Sequence, residues 1–198
     1  LLFLLPSLYI TNKVYKSLKG QMFLLQDFNS NSYNIPLNNV ESIVPDIPNI
    51  TVTTIPISSV KARYFFNAKK YKKALELLNQ GTNANPYLYY SEILKSQIFE
   101  SQGNLDSAKT FARKAFFGLP NNALHASRYV NLINITNDKV ALEEAFNLLT
   151  NKNNLNNWRN YLLTASNIGY IGNDNSKLIK RAKSALNLFP DNKDISNL

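Results

Sequence analysis

Few residues in this chain are equipped to make or break bonds. It has one histidine, His125, and no cysteine. That removes disulfide frameworks, zinc ribbons, thiol nucleophiles and CxxC redox centres, and any site that needs two imidazoles. His125 follows Pro120-Asn121-Asn122 near an expected helix start. A general base needs an orienting partner, and the sequence places none, so His125 is expected to be a partly exposed cap or groove residue. Glu143-Glu144 reads as a solvated helix face rather than a working carboxylate pair. No phosphate-cradling loop of the GxxxxGK[ST] or GxGxxG type occurs. The expectation is that this chain is not an enzyme, with no catalytic, cofactor-binding or metal residues and no cofactor.

Charge is the next candidate. Lys+Arg is 22 and Asp+Glu is 13, a net charge of +9. Residues 1–57 hold three lysines and three acids, so the whole excess falls beyond them. The clusters are Lys61, Arg63, Lys69, Lys70, Lys72 and Lys73, then Lys109, Arg113 and Lys114, then Lys177, Lys180, Arg181 and Lys183. A basic face can meet anionic lipid, acidic glycan or nucleic acid. Lysines also cover ordinary helix backs. No nucleic-acid partner is expected, because no aromatic stacking platform accompanies the charge.

The elements that must position these residues divide the chain. Hydrophobic residues are 44% of 198 and charged residues 18%, which suits a packed fold of one domain, or one domain plus an appendage. Residues 1–20 open with Leu1-Leu2-Phe3-Leu4-Leu5-Pro6-Ser7-Leu8-Tyr9-Ile10, uncharged, then carry Lys13, Lys16 and Lys19. Two readings fit: the end of a transmembrane helix with its juxtamembrane lysines, or a buried segment of a soluble protein. The first is the expectation taken forward. Residues 21–57 are expected to be an extended linker, with Pro45, Pro48 and Pro56 barring a helix and a short strand at Ile50 to Ile55. Its recurring Ile and Val predict that it packs on the region C-terminal to it. Residues 191–198 are a tail.

Between them the chain repeats with a period of 34. Ala62 aligns with Ser96, Phe65 with Phe99, Tyr71 with Leu105, Ala74 with Ala108, Gly81 with Ala115 and Pro86 with Pro120. Small residues fall where helices must approach closely, and proline falls where the second helix must stop. Two looser units come after. Helices are expected at Ala123 to Ile135, Val140 to Thr150, Leu155 to Ile168 and Ser176 to Leu188, with turns at Asn137-Asp138, Asn151 to Asn154 and Gly172 to Asn175. Ala141, Ala145 and Leu148 are expected to face inward, then Trp158, Leu162, Ala165 and Ile168, then Leu178, Ala182 and Ala185. The repeat region is 58–190, in units 58–88, 89–122, 123–154 and 155–190. One hairpin cannot hide its apolar face alone, so stacking makes the core.

This pattern resembles the tetratricopeptide repeat (TPR), and the fold class implied is all-α, a TPR-like solenoid of helical hairpins. The resemblance implies a partner-binding groove on the first helix of each unit: Ser59, Arg63, Phe66 and Asn67; Ile93, Gln97, Glu100 and Ser101; Ser127, Asn131 and Asn134. The family's carboxylate clamp is not matched, since its positions hold Ser59 and Arg63, then Ile93 and Gln97. The order of segments is also similar to the C-terminal region of Bacteroidetes-type O-antigen ligase or polymerase-like membrane proteins. It is carried by the apolar start, Val14 to Gln21, the stretch Val44 to Ile57 running into Lys61 to Phe65, Asn85-Pro86-Tyr87, and Lys114-Ala115-Phe116 with Leu119 to Asn122. That resemblance implies a scaffolding domain on a bacterial membrane protein of surface-glycan assembly. Its partner would be a protein or a glycan-assembly component, with the catalytic part elsewhere. The alternative is a free-standing soluble TPR adaptor.

Overall fold

The computed structural model describes residues 3–45, 47–151, 154–169 and 176–196, apart from the side chains of Asp194 and Ser196. Among them the chain forms helices α1 (Leu4–Asn29), α2 (Leu37–Ser42), α3 (Ile57–Asn67), α4 (Tyr71–Ala84), α5 (Tyr90–Ser101), α6 (Leu105–Gly118), α7 (Ala123–Thr136), α8 (Lys139–Thr150), α9 (Leu155–Asn167), α10 (Ser176–Leu188) and α11 (Lys193–Ser196). They fall into two compact units, Leu1–Ile98 and Phe99–Leu198.

In the first unit, helix replaces part of the expected extended linker. No proline lies between Pro6 and Pro36, so nothing stops α1 at residue 20 and it runs on to Asn29. It ends where Asn31 and Tyr33 take left-handed φ values of 54° and 49°. The Asp27 carboxylate accepts the N–H of Asn34 at 3.1 Å. Pro36 then opens α2. From Ile43 to Pro56 the described residues are again free of helix. There the expected strand folds back on itself instead. Ile50 and Pro56 form an antiparallel bridge, and Thr51 N–H donates to the Ile55 carbonyl at 2.8 Å. The connector does pack: Val40, Val44 and Ile57 join Leu24, Val60, Tyr64, Phe65, Leu78, Leu94 and Ile98 in one core. Each fully buried side chain of this size contributes about 1.5–3 kcal/mol.

The period of 34 is visible in the backbone. Lys69, Gly103 and Asn137 all adopt left-handed φ, at 57°, 76° and 49°. The N–H of the next residue closes back on the preceding helix each time: Lys70 to Phe65 O at 2.8 Å, Asn104 to Phe99 O at 2.9 Å, Asp138 to Ile133 O at 3.1 Å. This is a six-to-one helix-terminating bond. Gly169, at φ 56°, continues the series after 32 residues rather than 34. The second helix of each hairpin starts at once. The side chains of Asn104 and Asp138 accept the N–H groups of Ser107 and Ala141 as caps. Lys70, at the same position, has no acceptor to offer.

Aligned small positions are closed to solvent. Ala62 and Ser96, Ala74 and Ala108, Gly81 and Ala115 are all buried. In the third repeat those places are held by Val130, Leu142 and Leu149, equally buried but larger, which is why that repeat looks degenerate in sequence. The second unit builds its core from Phe116, Tyr129, Leu132, Ile133, Leu142, Leu149, Trp158, Tyr161 and Leu162. The inward faces expected for α7 to α10 need adjusting. Trp158, Leu162, Ala165 and Ile168 are buried as expected, and so are Ala141 and Ala145. Leu149 rather than Leu148 completes the α8 face, with Leu142 beside it. Of Leu178, Ala182 and Ala185, only Ala185 is fully buried; the other two pack at the edge of the core. The expected turn at Gly172 to Asn175 lies outside the described residues, as do Lys152 and Asn153. The tail contains α11, begun by Asn192, whose side chain accepts the Ile195 N–H at 3.1 Å.

Candidate binding faces

The first-helix positions marked by the sequence meet different fates. Ser59 is buried, and its hydroxyl shares a 2.8 Å hydrogen bond with Ser91. Gly81 of α4 backs onto this pair so closely that a Cβ there would stand 2.0 Å from Ser59 Oγ. Ile93 is buried at 1% exposure. Neither residue presents surface to a partner in this structure. Arg63 is half-buried and already held: Nη1 donates to Tyr90 Oη at 3.1 Å and Nη2 to Tyr33 Oη at 3.3 Å. Its guanidinium lies over the Phe28 ring at 3.9 Å, worth about 0.5–2 kcal/mol. Tyr33 in turn meets Tyr64 edge-on at 5.3 Å, and Tyr64 Oη donates to the Leu24 carbonyl at 2.9 Å. Burial raises the Tyr64 hydroxyl pKa well above its ordinary value. Phe66 packs on Tyr71 at 6.1 Å. Asn67 is exposed and Gln97 half-buried. The sequence reading did not find Phe28, Tyr33 or Tyr90, because nothing local marks residues that come together across some 30 to 60 positions.

In the second unit the marked positions are more open. Ser127 and Asn131 are exposed on α7, Asn134 is half-buried, and Ser101 is exposed at the end of α5. Leu124 and Ile135 flank them at 49% and 45% exposure, giving α7 an outward stripe at helical spacing, 124, 127, 131 and 135. Glu100 accepts a 2.6 Å ion pair from Arg128 Nη1, whose side chain is only 12% exposed. The stripe continues onto α9. Asn122 and Asn154 cap α7 and α9, and Asn137 and Gly169 end them, each pair 32 apart. That offset carries Ser127 to Arg159 and Asn131 to Leu163, both exposed. A search at 34 misses them; the repeated Asn cap is the signal that finds them.

His125 differs from its expectation. It is 2% exposed, on the inner side of α7, with its backbone N–H directed at Asn122 Oδ1 at 3.3 Å. Glu143 and Glu144 are not merely solvated. Glu143 takes Arg181 and, at 3.0 Å, Lys177; Glu144 takes Arg113. Arg181 also reaches Tyr161 Oη and lies over the Phe146 ring at 3.7 Å. Lys109 meets Asp138 at 2.6 Å. The Arg181 hydrogen bond, ahead of Lys177, holds the Glu143 carboxyl below its ordinary pKa. The Lys109 hydrogen bond does the same for Asp138, helped by the Ala141 N–H. Burial pushes the Tyr129 hydroxyl up to about 12. Much of the basic charge in this unit is thus matched internally. Lys61 is engaged differently, with its buried Nζ donating to the carbonyls of Glu41 at 2.7 Å and Val44 at 3.1 Å. Among the described residues, no three His, Asp or Glu are grouped to hold a metal ion. Among them too, no helix is long and apolar enough to cross a membrane.

No family model matches the chain, and no curated protein sequence does either. Solved structures do. A thermophilic TPR protein of Thermus thermophilus, TTC0263, matches with a TM-score of 0.53 at 13% identity, covering 90% of this chain and 94% of its own. YrrB, described as a TPR protein with an unusual peptide-binding site, matches with a TM-score of 0.54 at 11% identity, covering 96% and 95%. The fold is therefore that of the TPR proteins, an all-α array of helical hairpins.

Proposed function

We propose that this chain is a protein-interaction repeat domain that receives an extended segment of a partner protein on the outward stripe of α7 and α9. The observation that carries this is the open run Ser127, Asn131, Arg159 and Leu163 on equivalent positions of two neighbouring first helices. Asn side chains both donate and accept, so Asn131 suits the N–H and C=O of a peptide main chain. Leu124, Ile135 and Leu163 offer apolar contact beside it. The likeness to YrrB, a peptide-binding TPR protein by its description, agrees with this at the level of fold. The mechanism is recognition on a preformed surface, without bond chemistry.

The test is selection of peptides by display against the full chain, followed by titration of Asn131→Ala and Leu163→Ala. Binding weakened tenfold or more with unchanged melting supports the reading; unchanged binding overturns it. Arg63→Ala with Asn67→Ala and Gln97→Ala probes the first unit, with a melting curve alongside, since Arg63 also holds Tyr33 and Tyr90.

We further propose that α1 tethers the domain to a membrane. Its exposed apolar end supports this: Phe3 at 89%, Leu5 at 72%, Leu8 at 63% and Tyr9 at 60%. The finer reading, a bacterial surface-glycan ligase or polymerase as parent, rests on the order of apolar run, lysines, proline-bearing connector and repeats. The full reading frame tests it. Several hydrophobic spans encoded before Leu1 support the membrane parent, and a start codon adjoining Leu1 supports a free-standing adaptor.

A further inference from the structure

Several basic residues of the second unit are bridged to acids, while a group of lysines in the first is not. In the second, Lys109, Arg113, Arg128, Lys177 and Arg181 are all bridged to acids. In the first, Lys16, Lys19, Lys69, Lys70 and Lys72 form no ion pair among the described residues, and all five are exposed. They belong to one continuous surface. Lys16 and Lys19 border a cleft between α1 and α2 that reaches Pro45. Pro45 and Lys73 both border the next cleft. Lys73, paired with Glu41 at 2.7 Å, adjoins the hollow made by Lys69, Lys70 and Lys72.

This lysine strip starts where α1 leaves the packed body. Ser17 and Gly20 are buried, whereas Leu4, Leu5, Leu8, Tyr9 and Ile10 are all at least 55% exposed. Those apolar positions point to every side of the helix, a pattern suited to hydrocarbon rather than to one groove. The polar Ser7 in their midst is satisfied, its hydroxyl donating to the Leu4 carbonyl at 3.0 Å. From Phe3 to Ile10 the helix extends about 12 Å, enough to enter one leaflet of a core about 30 Å thick. Lys13 folds over the Tyr9 ring at 5.2 Å, an aromatic–cation pair of the kind found at headgroup depth.

We infer that the first unit lies against the surface of an anionic bilayer, with the end of α1 in the leaflet and the strip of Lys16, Lys19, Lys69, Lys70 and Lys72 on lipid phosphates. This rests on the membrane reading of α1 and adds lipid selectivity to it. A lysine near an anionic surface favours binding by about fivefold to tenfold, so the three lysines of the α3–α4 turn together supply on the order of a hundredfold. The attraction acts over a Debye length, about 8 Å at physiological salt.

The experiment is flotation of the full chain with vesicles of phosphatidylcholine alone and with about one-third phosphatidylglycerol. Wild type should float with both and bind the anionic vesicles at least about a hundredfold more tightly, losing that preference in high salt. The variant Lys69→Gln/Lys70→Gln/Lys72→Gln should keep the helical circular dichroism and the neutral-vesicle binding, and lose most of the preference. Equal wild-type binding to both vesicles, or a preference untouched in the variant, overturns the inference while leaving the tether standing. Binding to neither vesicle overturns both, and self-association by sedimentation would then assign the apolar end to a second copy of the chain.

Discussion

Gly81 sits at a close junction in the first unit, and adding one methyl group there tests the packing of three helices at once. A Cβ on Gly81 would meet Ser59 Oγ at 2.0 Å and Ser91 Oγ at 2.7 Å. Both are well inside contact distance. Rotating Ser59 away relieves the worst overlap but breaks the buried Ser59–Ser91 hydrogen bond of 2.8 Å, at a cost of about 1–3 kcal/mol. Moving α4 instead strains the core by a similar 1–3 kcal/mol or so. Against this, alanine in a helix interior is favoured over glycine by about 1 kcal/mol. The balance is that Gly81→Ala destabilises by up to about 2 kcal/mol. Its period-related partner Ala115 is itself fully buried, and Ala115→Gly costs about 1 kcal/mol by propensity, so a methyl group should change sign in its effect between the two positions. Urea unfolding followed by circular dichroism measures both, and hydrogen exchange shows whether the loss falls in α3, α4 and α5. Ser59→Ala combined with Gly81→Ala should recover part of the loss, as expected of contacting residues. A Gly81→Ala chain that is more stable by the full helix propensity would refute the three-helix contact.

Other outcomes rest on the same geometry. Gly103→Ala, at φ 76°, should cost about 1–2 kcal/mol in melting experiments, because it puts a Cβ into left-handed backbone. Phe116→Ala, removing a side chain of zero exposure that stacks on Tyr129 at 5.4 Å, should cost about 3–5 kcal/mol. Asp138→Ala should lose about 1 kcal/mol as the α8 cap goes. Asp138 and Glu143 have pKa values lowered in the fold, so they bind fewer protons folded than unfolded. Their stabilisation is complete above the ordinary carboxylate range near pH 4 and is lost as pH falls through the lowered folded values. A melting-temperature profile between neutral and strongly acid pH should therefore fall less steeply in Asp138→Asn and Glu143→Gln.

What could be read from the chain followed the physics of repetition. Ala62, Ala74, Gly81 and their partners at 34 residues stand where helix axes converge, and only small side chains fit, so composition at those positions reports geometry. The buried face of α9 was legible for the same reason, through Trp158, Leu162, Ala165 and Ile168. The α1–α2 region was not. Its prolines exclude helix only near themselves, and the apolar content between Pro6 and Pro36 suits membrane and linker as well as it suits one helix, of which only Ser17, Gly20, Gln21 and Leu24 are buried. Nor could the sequence tell surface from interior at Ser59, Ile93 and His125. Their neighbours there come from other helices, and a helical period identifies a face without saying what covers it.

The termination signal outlasts the packing motif. Across three hairpins the side chains at the small positions drift from Ala74 to Ala108 to Leu142, and from Gly81 to Ala115 to Leu149. Yet Lys69, Gly103 and Asn137 keep the left-handed turn, although two of them lack glycine's freedom and hold it at a cost in strain. A core position tolerates a larger side chain when its neighbours shrink, as volume is shared among many residues. A helix end has no such latitude. One residue must reverse the backbone so that the next can bond back to the first helix and start the second. The spacing of those reversals, 34, 34 and then 32, therefore sets which residues of α7 and α9 face outward together, and it is this register, more than side-chain likeness, that aligns Asn131 with Leu163.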